Sequence, residues 1–138
     1  MTAVNIIEYI TIASAGNATD FGNLTATSYS QASACSIVRG LFFSGAGRDA
    51  IDYITIASTG NATDFGDHLA NDGTRQGFVV HNKIYAYYSR TAGNNIQEKH
   101  TIATAANATS FTWTKLGSTF NQSTLAKTVM KGWIAASG

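Results

Sequence analysis

The feature that most constrains this sequence is a segment that occurs twice almost unchanged and a third time in altered form. Residues 9–22 read YITIASAGNATDFG, and residues 53–66 read YITIASTGNATDFG, with Ala15 against Thr59 as the one difference. A third copy, TIATAANATSF, occupies residues 101–111. Internal repetition at a fixed period is the signature of architectures built from one recurring structural unit.

The spacing of the copies divides the whole chain into three units. Phe21 and Phe65 lie 44 residues apart, and Phe65 and Phe111 lie 46 apart. The second half of each unit repeats its layout, because a cation precedes an aromatic or apolar segment each time: RGLFF from Arg39, KIYAY from Lys83 and KGWIA from Lys131. We therefore expect one domain over residues 1–138, made of three repeats at about 5–48, 49–94 and 95–138.

Within a unit, the pattern predicts about four short strands. The alternation in Tyr9–Ile12 favours a strand with one buried face. Ser14–Asn17 has turn chemistry, and Phe21 is a candidate core anchor on the returning strand. Ser28–Ile37 is rich in small residues and Leu41–Phe43 is apolar, so each can form a further strand. No segment shows a clear helical stripe.

Composition points to the same class of fold. The 138 residues include 13 glycines and no proline, and only 12% are charged. Four strands in roughly 45 residues is the size of one propeller blade. The predicted fold is all-β, with three four-stranded antiparallel blade units of the propeller type. A β-sandwich or a β-prism is the alternative.

Two features resemble known families. Asn82–Tyr88 and Ser110–Leu116 are similar to strands of kelch repeats, although the kelch glycine pair is absent. Residues 52–67, DYITIASTGNATDFGD, together with RGLFFSGAG from Arg39, resemble the tandem repeats of tail and virion structural proteins of marine tailed phages, especially cyanophages. The leucine expected after the repeat is kept at Leu24 but replaced in the other units. The resemblance implies a virion component.

The phase of the repeat splits one unit across the two ends of the sequence. The first copy opens in the hairpin at Glu8, and the last copy closes in the strand at Trp133. Each end therefore lacks strands that the other end carries, and open sheet edges favour pairing with another chain. We expect completion by oligomerisation, with the chain itself and other virion proteins as partners.

Candidate catalytic and metal-binding groups are sparse. His68, His81 and His100 fall at different repeat positions, which predicts no metal site and no catalytic histidine. No cofactor motif is present. Cys35 has no basic neighbour and is predicted to be a buried structural thiol. The chain is thus predicted not to be an enzyme.

Three recurring polar features have structural interpretations. Asn-Ala-Thr at residues 17–19, 61–63 and 107–109 is a formal glycosylation acceptor, but asparagine is also favoured in hairpin turns. Carboxylates at one repeat position and cations at another predict ion pairs between neighbouring strands, and the residues concerned are Glu8, Asp52 and Glu98 with Arg39, Lys83 and Lys131.

The aromatic residues offer the one candidate binding surface. Tyr85, Tyr87, Tyr88 and Trp133 alternate with other residues in predicted strands, so a core role is favoured and a ligand or interface role is the alternative. The predicted function is a structural or assembly protein of the phage virion, in a tail, fibre or capsid-surface position. The alternative is a carbohydrate-binding, host-recognition module of a fibre. The charge is +1 with no basic patch and no long apolar run, so neither nucleic acid nor membrane is an expected partner.

Overall fold

A computed structural model describes eight stretches of the chain: residues 2–28, 32–44, 48–70, 74–80, 83–89, 95–110, 122–127 and 132–137. For residues 74–80, 83–89, 95–97, 122–127 and 132–137 the description covers the backbone and not the side chains. His81 and Phe111 lie outside the described residues, as do most of the kelch-like segment from Ser110 and the glycine-rich ends of the first two units.

The described chain is all-β, which confirms the predicted class. Its twelve strands are β1 Val4–Tyr9, β2 Thr19–Ser28, β3 Ala32–Cys35, β4 Arg39–Phe43, β5 Ala50–Thr55, β6 Thr63–Asp67, β7 Thr74–Val80, β8 Lys83–Ser89, β9 Asn95–Thr101, β10 Thr109–Ser110, β11 Gln122–Lys127 and β12 Gly132–Ser137. None of the described segments is a helix that could cross a membrane.

The strands form four antiparallel sheets. Strands β3 to β6 make one four-stranded meander and β7 to β10 make another, while β1–β2 and β11–β12 are two-stranded. Each four-stranded sheet joins the second half of one sequence unit to the first half of the next. The sheets are thus shifted by half a unit from the sequence repeat. The first and last of the described sheets have two strands each. Closure of these sheets into a propeller remains a prediction.

The strand predicted over Tyr9–Ile12 is placed incorrectly. Strand β1 ends at Tyr9, which pairs with Thr19, and the chain then turns, with Ser14 N donating to Thr11 O at 3.2 Å. The alternating isoleucines have another cause: in the third copy, Ile102 follows strand β9 and is buried in the core. In the second copy the corresponding residues Tyr53, Ile54 and Thr55 do lie in strand β5, so the predicted strand is partly correct there.

The core consists of two clusters built around the predicted anchor. Ile7, Phe21 and Leu24 form the first cluster. Phe65, at the repeat position of Phe21, lies in the second, with Leu41, Phe43, Ile51 and Ile102. The role of the repeated phenylalanine is confirmed in the two copies whose side chains are described.

Cys35 is exposed, so its predicted burial is wrong. It lies on β3, the edge strand of its sheet, where Ala32 and Ala34 face the core and Ser33 and Cys35 face outward. The two-residue alternation of a strand decides which side chain is covered, and sequence composition does not fix its phase in a run of small residues.

Candidate functional site

The candidate site is the junction between successive hairpins. We call β1–β2 hairpin 1, β5–β6 hairpin 2 and β9–β10 hairpin 3. Gly22 and Gly66, at the same repeat position, have φ of 149° and 135°. A Cβ on Gly22 would meet Gly60 O at 2.3 Å, and one on Gly66 would meet the carbonyl carbon of Ala106 at 2.6 Å. Only glycine lets the next hairpin approach so closely.

The first junction joins hairpin 1 to hairpin 2 through their backbones. Gly60 N donates to Phe21 O at 2.7 Å, and Ala62 N donates to Asn23 O at 2.8 Å. Asn23 N donates in return to the Asn61 side-chain oxygen at 3.0 Å. The asparagine of the Asn-Ala-Thr motif therefore bonds across the junction, and not only within its own turn.

The second junction repeats this arrangement between hairpin 2 and hairpin 3. Ala108 N donates to Asp67 O at 2.7 Å, and Asp67 N donates to the Asn107 side-chain oxygen at 3.0 Å. The residues occupy the same repeat positions as in the first junction. One mode of packing is thus used twice.

A buried carboxylate also crosses each junction. In the first, Asp52 is 2% exposed. Its two oxygens accept hydrogen bonds from Thr25 N at 3.0 Å and Thr25 Oγ1 at 2.6 Å. Ordinary apolar residues, Leu24 and Ile54, occupy the neighbouring positions. The hydroxyl and amide of one threonine satisfy the buried carboxyl group, as burial of a polar group requires.

The second junction solves the same problem with histidines. Glu98 replaces the aspartate, and its Oε2 accepts from Leu69 N at 2.9 Å. Its Oε1 contacts His68 Nδ1 and lies 3.3 Å from His100 Nε2. All three side chains are fully buried. His68 follows β6, while Glu98 and His100 lie two residues apart on β9 and therefore share one face of the strand.

Aromatic rings of the second core cluster enclose this group. Phe43 meets His68 edge-on with ring centroids 5.2 Å apart, and Phe65 meets His100 edge-on at 6.0 Å. Nδ1 of His100 has no hydrogen-bond partner among the described residues. The group therefore combines one carboxylate and two imidazoles in an apolar enclosure.

The electrostatics of Glu98 follow from these contacts. Burial by itself would raise the pKa of the carboxyl. Hydrogen bonds from His100 and His68, the charge of His68 and the Leu69 N–H oppose it and lower the pKa from 4.5 to about 2. Glu98 is therefore ionised at neutral pH inside the protein.

The convergence of His68 and His100 was not predicted, because they are 32 residues apart and differ in repeat position. The alignment of the units contains a signal that could have predicted this convergence. His68 stands where unit 1 has Leu24, and His100 stands where unit 2 has Ile54, which are both core positions. Two histidines at apolar positions of one junction indicate that they face each other.

Arg39 does not form the predicted ion pair with a repeated carboxylate among the described residues. Its guanidinium lies 4.6 Å from the centre of the Tyr53 ring, and its Nη1 donates to Ile102 O at 2.9 Å. Arg39 thereby connects strand β4 to the turn of hairpin 3, directly after strand β9. For Lys83 and Lys131 the side chains lie outside the described residues.

Hairpin 1 presents an uncovered copy of the face that hairpin 3 buries and that hairpin 2 buries in part. Ile12 is 96% exposed, Ile56 is 45% exposed and Ile102 is 1% exposed, although all three occupy one repeat position. Ile10 is 64% exposed, against 3% for His100. We call this surface the open face, and its residues, all exposed, are Glu8, Ile10, Ile12, Asn17 and Ala18.

The aromatic candidate surface is not tested, because the side chains of Tyr85, Tyr87, Tyr88 and Trp133 lie outside the described residues. The backbone places the three tyrosines on strand β8. Their role, and the glycan-binding alternative that depends on it, remain predictions.

Known proteins supply no further guide to the site. No protein-family model matches the chain, and neither the curated proteins nor the solved structures compared with it include a match.

Proposed function

We propose that this protein is a structural component of a phage virion that acts through protein–protein contacts and has no catalytic activity. Its place is a tail, a fibre or the capsid surface. The sequence resemblance to phage tail and virion repeats suggests the setting, and the open face of hairpin 1 suggests the means of attachment.

The observation that carries the proposal is the repeated junction. The chain uses one face twice, in hairpins 2 and 3, and presents it a third time uncovered. A contact in which one surface meets a different surface propagates in one direction and extends an array. The open face carries exposed apolar side chains beside a carboxylate and an asparagine. These are the same kinds of residue that hairpins 2 and 3 use to contact the preceding hairpin inside the chain.

The same geometry specifies the partner. The open face fits a Phe-Gly segment followed by Asn or Asp, as in hairpins 1 and 2. Both of these segments are covered by the next hairpin, and Thr112 stands at the glycine position of the third copy. A threonine Cβ there is incompatible with the approach distance at Gly22 and Gly66. The occupant is therefore a Phe-Gly repeat of another virion polypeptide.

A homo-oligomer through this face requires exchange of hairpins between copies, since no Phe-Gly segment of the chain is left uncovered. Self-association by any other surface remains a prediction. Light scattering of the purified chain at micromolar concentration tests it, and a single species of monomer mass contradicts it.

The test of the proposed function is incorporation into particles. Mass spectrometry of purified phage particles should detect the chain, and a chain absent from intact particles contradicts the proposal. Ile10→Lys places a charge on the open face and should reduce incorporation at least tenfold. Ile37→Lys is the matched control, because Ile37 is 95% exposed and belongs to the connection between β3 and β4 and not to hairpin 1. Equal incorporation of the two variants would rule out the open face.

A further inference from the structure

We propose that His68, Glu98 and His100 bind one divalent transition-metal ion, Zn²⁺ in the first instance, which locks hairpin 3 onto hairpin 2. The proposal does not rest on the virion function and can be tested on the purified chain alone. It concerns the second junction, which is covered, and not the open face.

The ligand set is the first argument. Two imidazole nitrogens and a carboxylate oxygen lie within 4.8 Å of one another. Zinc binds nitrogen and carboxylate oxygen at about 2.0–2.2 Å, so tetrahedral geometry separates two ligand atoms by about 3.3 Å. His100 Nε2 and Glu98 Oε1 are 3.3 Å apart. This pair of ligand atoms therefore already has the separation that one zinc ion requires, and His68 Nδ1 lies against the same carboxylate oxygen.

The comparison of the junctions is the second argument. Leu24, Asp52 and Ile54 at the first junction form a stable connection, with Thr25 satisfying the acid. Stability alone does not explain two histidines at the second junction, because a buried ionic group is often no more stable than apolar residues of similar size. Leu69 replaces Thr25 there, so the hydroxyl that satisfies the acid is lost as the imidazoles appear.

The burial of the three side chains determines whether a bound ion would be catalytic or structural. The three side chains are fully buried among Phe43 and Phe65, so no substrate reaches them. No other His, Cys, Asp or Glu of the described residues joins the group, so the described side chains supply three ligand residues. The ion is therefore structural, and it joins ligands from β9 and the end of β6 across the junction.

The experiment uses the full chain, stripped of metal with a chelator and titrated with Zn²⁺ and with Co²⁺ as a coloured probe. We expect one Zn²⁺ per chain, a rise of several degrees in Tm on adding zinc, and the visible absorption of four-coordinate Co²⁺. If the metal-free chain is folded and neither binds Zn²⁺ at equimolar concentration nor changes in Tm, the proposal is wrong and the group is held by hydrogen bonds alone.

A matched variant locates the site. The substitutions His68→Leu, Leu69→Thr, Glu98→Asp and His100→Ile give the second junction the residues of the first, so the variant should fold while losing zinc binding by at least a hundredfold. Retention of zinc by this variant would overturn the assignment. Glu98→Gln alone, which keeps the shape of the side chain, should weaken zinc binding at least tenfold even if the fourfold variant does not fold. Unchanged zinc affinity in Glu98→Gln would also overturn the assignment.

Discussion

The two junctions share one backbone geometry and differ in their buried chemistry. In both, the alanine of Asn-Ala-Thr donates its N–H to the preceding hairpin, and the asparagine side chain accepts one in return. In the first, a threonine satisfies the buried acid, and in the second two histidines surround it. The glycine and the Asn-Ala pair determine how the hairpins pack in both junctions. The side chains that contact the buried acid do not determine this packing, so they can differ between the junctions.

The largest expected effect is at the glycines that both junctions require. Gly66→Ala combines a positive φ with a Cβ at 2.6 Å from backbone, and should lower the free energy of unfolding by about 4 kcal/mol. Gly16→Ala is the control, because nothing lies within 4 Å of its Cβ, and it should change stability by less than about 0.5 kcal/mol. Urea unfolding measures both, and equal stabilities would contradict the close-packed junction.

The next largest effect on the free energy of unfolding compares a covered copy of the face with the uncovered copy. Ile102→Ala removes a side chain that is 1% exposed and should cost about 3 kcal/mol. Ile12→Ala, at the same repeat position but 96% exposed, should change the free energy of unfolding by less than about 0.5 kcal/mol. A substantial loss in the Ile12 variant would show that hairpin 1 is covered in the isolated chain.

The third prediction concerns the pH dependence that Glu98 gives the second junction, measured with a chelator present so that no metal ion competes with protons for the carboxylate. The pKa of Glu98 is about 2 when folded, against 4.5 unperturbed. The ionised carboxylate therefore stabilises the fold above about pH 4.5, and this contribution, at most about 3 kcal/mol, is lost as the pH falls toward 2. Glu98→Gln should flatten the stability curve in this window. A stability curve unchanged by Glu98→Gln would contradict the account.

The smallest effect concerns the hydroxyl that distinguishes the first junction. Thr25→Val keeps the shape of the side chain but removes the Oγ1 donor to Asp52, and should lower the free energy of unfolding by about 1–2 kcal/mol. Thr27→Val, on the same strand and likewise exposed, is the control because its hydroxyl makes no hydrogen bond to a described residue, and it should be nearly neutral. Thermal unfolding of the two variants makes the comparison, and equal Tm values would deny the hydroxyl a role at the junction.

The sequence predicts the repeated architecture well and the chemistry of the junctions poorly. Repetition and the anchoring role of Phe21 follow from local patterns, since core positions depend on nearby residues. The turn predicted at Ser14–Asn17 begins earlier, since Ser14 N donates to Thr11 O. The end of strand β1 and the outward direction of Cys35 depend on which face another unit covers. The meeting of His68 with His100 depends on the stacking of successive hairpins.

The most direct measurement of the repeated junction is amide hydrogen exchange at the alanine of each Asn-Ala-Thr motif. Ala62 N donates to Asn23 O and Ala108 N donates to Asp67 O, so both amides should exchange slowly. Ala18, at the same repeat position, is exposed and makes no such bond to another hairpin within the described residues, so its amide should exchange at least a hundredfold faster. Equal protection of all three amides in the isolated monomer would contradict an open face on hairpin 1, and rapid exchange at Ala62 and Ala108 would contradict the junction itself.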